Sequence, residues 1–205
     1  MAYVSSERFR TFHALRIKGF AKPDVLAEIA DLDLDDVEPI LAQLQQDGLV
    51  LFREARGLWQ LTPDGRGRHL EELASDVDDS IRTGLGEHYE EFLGFNHAFK
   101  ALCGEWQLRD GAPNDHSDRG YDAGVIERLV THDRASRPIV EAMGAVLGRM
   151  SPYARRLELA CDRVTQGETN MFTGVMCGSY HDIWMELHED LILSQGIDRA
   201  AEGSF

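Results

Sequence analysis

The sequence predicts a mainly α protein in two parts, a winged helix-turn-helix with a small β-hairpin wing over residues 1–75 and an antiparallel helical bundle over residues 76–205. Three observations carry this. Lys22 to Gly65 holds two short amphipathic segments separated by a polar turn, then an apolar strand, a four-residue tip and a second strand. From Ile81 onward, apolar residues recur at three-to-four spacing over several long stretches. The net charge of −15 is also divided unevenly: residues 1–70 carry nine Lys and Arg against eleven Asp and Glu, and residues 71–205 carry twelve against twenty-five. Such asymmetry marks two units with different surfaces, and the acidic rear is unsuited to nucleic acid or anionic lipid.

Taking the elements in order, Ser6 is placed to cap a first helix that ends near Gly19, with Phe9, Phe12 and Leu15 on one face. Pro23 suits the first turn of a second helix carrying Val25, Leu26 and Ile29. After a turn at Asp31–Leu34, Asp35 and Glu38 have the spacing of a capping box, with Asp35 as cap and Pro39 in the first turn. Val37, Ile40, Leu41 and Leu44 form the buried stripe of that third helix, and Gly48 stops it. Leu49–Arg53 and Leu58–Leu61 are the two strands around Glu54–Gly57, and Leu61-Thr62-Pro63-Asp64-Gly65 opens a fourth helix.

Gly48-Leu49-Val50 at the strand start, Arg53 with Arg56 in the wing, and the exit Leu61 to Gly65 together resemble the winged-helix domain of MarR-type bacterial regulators, over about the first third of the chain. That resemblance implies a DNA-binding transcriptional regulator in which the third helix enters the major groove and the wing touches the backbone. Carried onto this chain, it puts Asp35, Asp36, Glu38, Gln43 and Gln46 on the reading face and Arg53 and Arg56 on the wing. It also implies a homodimer, since half-sites are read in pairs. Asp31 to Asp47 contains no Lys or Arg, so phosphate contacts fall to Arg8, Arg10, Arg16, Lys18, Lys22, Arg53, Arg56, Arg66 and Arg68. The alternative is an accessory subunit whose winged domain docks a protein partner.

The rear half reads as four helices. The first runs from Ile81 to Gln107, and a polar stretch dense in breakers, Arg109 to Gly120, follows as the best candidate for a mobile segment. Ile126 to Leu147 marks the second, with a bend expected near Pro138. Ser151-Pro152 starts a shorter third, and Thr169 to Gln195 forms the last, with Gly174 and Gly178 one turn apart so that a neighbour can approach closely and Gly196 as its stop. The phrases Tyr89–Lys100 and Tyr180–Asp190 resemble helical regions found beside phosphoenolpyruvate-utilising dikinase-like proteins, which implies an accessory or regulatory module of a phosphotransfer system.

His181 and His188 lie seven apart on the last helix, about 10 Å along its axis, and need other groups to share a metal ion. His97 and His132 are the candidates to meet them, with Trp184 beside an effector; the alternative is that these histidines are satisfied core or rim residues. The metal and any cofactor are unknown. Aromatic and Met residues of the rear helices are either plain core or the lining of an apolar effector pocket. No GxSxG, phosphate-cradling loop or HExxH occurs, so an enzyme is not expected. Cys103, Cys161 and Cys177 are widely spaced and are expected to be buried small apolar residues. The absence of a signal-type apolar core or a roughly 20-residue apolar run leads to the expectation of a cytoplasmic protein with no membrane contact.

Overall fold

The structure, a computed structural model, describes residues 2–197. The chain is mainly α, with two small antiparallel hairpins, and its N-terminal helices followed by a hairpin resemble the layout of a winged helix-turn-helix. α1 (Glu7–Lys18) begins where the Ser6 hydroxyl accepts from the Phe9 N–H at 3.2 Å, and Gly19, at φ 77°, ends it. α2 (Pro23–Ala30) starts on its proline and stops at Asp31 in the left-handed region. α3 (Leu34–Gln46) starts one residue before the expected capping box. Its cap is Asp33, whose carbonyl takes the Asp36 and Val37 N–H groups, and no carboxylate caps it. Pro39 therefore lies inside α3 on its exposed side, where it leaves the Asp35 carbonyl without an i+4 donor.

β1 (Val50–Arg53) pairs with β2 (Leu58–Leu61), with Phe52 opposite Trp59, and the outer edge of β2 is closed by Ala21, which exchanges both backbone hydrogen bonds with Trp59. α4 (Pro63–Asp76) starts on Thr62, whose hydroxyl accepts from the Gly65 N–H at 2.9 Å. Gly65 is obligatory there: a Cβ on it would stand 1.9 Å from the Leu49 carbonyl oxygen. Phe12, Leu15, Leu26, Val37, Leu41, Leu44 and Val50 close the core of this N-terminal unit.

α5 (Asp79–Gln107), α6 (Arg119–Val146), α7 (Pro152–Thr165) and α9 (Tyr180–Gln195) form the rear, with a single 3-10 turn at Gly148–Met150 before α7. Cross-contacts show that neighbours run in opposite directions. Tyr121 and His132 of α6 bond Glu105 and Phe95 of α5; Arg137 of α6 meets Glu158 of α7; Arg156 and Tyr153 of α7 meet Glu186 and Asp190 of α9; and Trp184 of α9 bonds Asn96 of α5. Between α5 and α6, the expected polar stretch holds a two-residue hairpin of β3 (Leu108–Arg109) and β4 (Ala112–Pro113), turned on Asp110 and Gly111 at positive φ. Asn114 latches it, donating to the Trp106 carbonyl and to Asp122. Pro138 lies within α6 and does not end it.

The last expected helix is divided. α8 (Asn170–Thr173) is one turn, residues 174–179 are non-helical, and α9 begins afresh on Ser179, which accepts from the Asp182 N–H. Gly174 (ψ 150°), Met176 (φ 59°) and Gly178 (φ 69°) turn the chain, so the two glycines serve a reversal and not a helix crossing. The central cluster of the rear reaches into the front: Phe9 of α1 and Leu73 of α4 belong to it.

Candidate functional site

Two regions could carry function: the outer face of α3 with its wing, and the polar seam where α1 and α4 meet the rear helices. On the outer face all seven residues expected to contact DNA, Asp35, Asp36, Glu38, Gln43, Gln46, Arg53 and Arg56, are exposed. They do not form one surface of one sign. Asp33, Asp35, Asp36 and Glu38 have no cationic partner among the described residues, while Gln43 is turned onto Asp47, to which its amide donates at 3.0 Å. Between α3, the start of α2 and the wing lies a hollow of about 630 Å³ lined by Pro23, Leu34, Leu41, Phe52, Gly57 and Trp59, with Lys22, Asp24, Glu38 and Gln45 at its rim. Leu34 and Phe52, 42% and 40% exposed, bring two large apolar side chains to the mouth of this hollow.

Five of the nine expected phosphate-binding cations are used internally. Arg8 makes two bonds to Glu72, Arg10 caps the C-terminal carbonyls Ala30 and Asp31 of α2, Arg16 reaches Glu189, Lys18 reaches Glu186 and Arg68 is held by Glu71 and Glu72. Lys22, Arg53, Arg56 and Arg66 remain without an ion pair among the described residues. Two unit charges about 4 Å apart in water interact by about 1 kcal/mol. On the α3–wing face Lys22, Arg53 and Arg56 stand against Asp24, Asp35, Glu38 and Glu54, which leaves little net attraction for a polyanion.

The seam is the opposite case. Arg149, 3% exposed in its side chain, donates to Asp76 at 2.8 Å, to Asp190 at 3.1 Å and to Ser194 at 2.6 Å. Asp76 also accepts from Ser5 and Tyr3, and Tyr3 bridges to Leu147 through its backbone. His13 lies between Asp190 (Nε2 to Oδ1, 3.0 Å) and His69 (Nδ1 to Nε2, 2.8 Å), and the two rings are nearly parallel with centroids 5.0 Å apart. A carboxylate only accepts, so His13 carries its proton on Nε2 and its Nδ1 accepts from the His69 Nε2–H. Burial pushes both histidines down, His69 to about 2, against the pull of Asp190. Burial would raise the Asp190 carboxyl, but the Arg149 guanidinium and His13 together hold it well below the usual carboxylate range. A second rung joins α2 and α1 to the rear: Arg156 bonds Glu28 and Glu186, and Glu186 also takes Lys18 at 2.6 Å.

The histidines expected to gather on the rear helices do not form one set. His97 is exposed, because Phe92, Asn96 and Phe99 take the inward positions of α5. His132 donates from Nε2 to the Phe95 carbonyl at 3.0 Å and accepts at Nδ1 from the Tyr180 hydroxyl at 3.2 Å, and burial lowers its pKa, so both nitrogens are occupied. His188 is buried against Phe92, and His181 is half-buried near Phe99. Trp184 is wholly buried, donating to Asn96 and packed on Phe92 and His132. Among the described residues no group of three or more His, Cys, Asp or Glu is arranged to hold a metal ion. Of the three cysteines expected to be buried, Cys161 is buried, Cys103 is half-buried and Cys177 is exposed, since residues 174–179 leave the helix; burial raises the first two to about 12. Among the described residues no helix is long and apolar enough to cross a membrane.

The seam residues His13, His69, Asp76, Arg149 and Asp190 were not singled out by sequence reasoning. One signal was available: Glu186 and Asp190 sit one turn apart amid the apolar positions of the last helix, where a charge is buried and must have a partner. No family model, curated protein or solved structure matches the chain, so the reading of its function rests on this geometry.

Proposed function

We infer that the chain is a non-enzymatic regulatory or accessory protein in which a winged helix-turn-helix, mounted rigidly on an antiparallel helical bundle, docks a protein partner through the face between α3 and the wing. The observation that supports it is the pairing of an open apolar hollow with carboxylates, Asp35 and Glu38, that have no cationic partner among the described residues, at the position where a DNA reader needs cations. The mount is the seam: Arg149, Asp76, His13 and Asp190 join the unit to the rear helices so closely that the docking face is presented in one orientation. The resemblance of two rear-helix phrases to regions beside phosphoenolpyruvate-utilising dikinase-like proteins suggests a partner in a phosphotransfer system.

A second reading, a DNA-binding transcriptional regulator resembling the MarR type and acting as a dimer, is favoured by one observation: Arg53 and Arg56 stand exposed at the wing with no ion pair among the described residues. Binding to mixed genomic DNA fragments over a salt series, with an Arg53→Ala, Arg56→Ala variant beside the parent chain, separates the two. Protein docking predicts no sequence-selective retention even at low salt. Retention of particular sequences, weakened by salt and by loss of the wing arginines, would instead establish the regulator.

A further inference from the structure

We propose that the occupant of the α3–wing hollow is a basic segment of a partner protein, with one or more large apolar side chains seated on Phe52 and Trp59 and flanking Lys or Arg set against Asp24, Asp35 and Glu38. The inference rests on the protein-docking reading and gives the partner its chemistry. The hollow, about 630 Å³, is open to solvent and has room for one or two large side chains of a docked segment. Its floor is apolar, from Pro23, Leu34, Leu41, Phe52 and Trp59, so the group it takes is apolar. Its rim decides the sign of what surrounds that group. Asp24 and Glu38 line it, Asp35 lies one turn before Glu38 on the same side of α3, and Lys22 is the single cation of the lining.

Charge also separates this occupant from the others. A nucleic acid would bring phosphates to the three carboxylates. A second copy of this chain, related by a twofold axis, would bring the same three carboxylates to face themselves within a molecule of net charge −15. Only a cationic partner turns the rim into a source of attraction and of orientation, while the buried apolar contact supplies most of the affinity.

The test is selection of random 16-residue peptides displayed against the full chain, followed by binding measurements on the recovered peptides. The expected result is enrichment of peptides combining Trp, Phe or Leu with Lys or Arg. Their binding should weaken about tenfold or more in Phe52→Ser and in Asp35→Lys, Glu38→Lys, with each variant still unfolding cooperatively. Exchanging Lys for Glu in such a peptide should restore binding to the charge-reversed variant. Enrichment of acidic or uncharged peptides that still need Phe52 would overturn the proposed chemistry and keep protein docking. Self-association abolished by Phe52→Ser would make the occupant a second copy and overturn the proposal. Peptides indifferent to all these variants, or no enrichment, would overturn it as well, and salt-sensitive retention of DNA in the same preparation would remove the protein-docking reading with it.

Discussion

The two sides of the N-terminal unit use charge in contrary ways. Toward the rear helices its cations and carboxylates are buried and bonded: His13 to Asp190, Lys18 to Glu186, Asp76 to Arg149. Toward solvent, Asp35 and Glu38 meet no cation among the described residues, and Leu34 and Phe52 stand open. The difference teaches that composition is a poor guide to role in this chain. The nearly balanced charge of the first 70 residues is a sum over a side that consumes its cations and a side that has few.

Breaking the inner side should have the largest effect. Arg149→Met leaves Asp76 and Asp190 buried without their guanidinium, and we expect a loss of about 3–5 kcal/mol in urea unfolding, since removing one member of a buried ionic set strands the rest. A loss below about 1 kcal/mol would show that the seam contributes little to holding the two parts together.

Acid should loosen the same side more gently. His13 and His69 are held below the ordinary histidine value of 6.5, His69 to about 2. As pH falls through 6.5 the unfolded chain binds protons at these positions and the folded chain does not, so stability falls with pH. Below 6.5 the slope approaches about 1.4 kcal/mol per pH unit for His69, His13 adds to it in the same direction, and the Asp190 carboxylate stays ionised throughout the window. Urea midpoints measured between pH 7.5 and 5 should decline in the parent chain and decline less in His69→Gln. Equal slopes would place the titrating groups elsewhere.

The outer side should tolerate change. Glu38→Gln and Arg56→Gln remove exposed charges with no ion pair among the described residues, so each should shift stability by no more than about 0.5 kcal/mol in thermal unfolding. A larger cost for Glu38→Gln would mean that α3 needs that carboxylate for its own integrity.

The same division explains what could be read from sequence. Ser6, Pro23, Thr62 and Gly196 announce helix ends because capping and breaking act within a few residues, and Phe52 opposite Trp59 follows from strand alternation and turn length. The α3 cap was misplaced by two residues, since Asp33 and Asp35 are chemically alike and only backbone geometry distinguishes them. The break at residues 174–179 was missed because apolar spacing continues from Phe172 into Ile183 across the glycines that interrupt it. The seam was out of reach altogether: His13 and Asp190 are separated by 177 positions, and no local rule joins them.

That separation also orders events in time. At roughly 5–20 residues per second, on the order of 10–35 s pass on the ribosome between the addition of His13 and the addition of Asp190. During that interval the front unit has its own apolar core of Phe12, Leu26, Leu41 and Val50, so its fold does not wait. The polar flank of α1 does wait, solvated, until α9 has emerged. The face between α3 and the wing thus has its own core early in translation, while the joint to the rear helices cannot close until α9 is made.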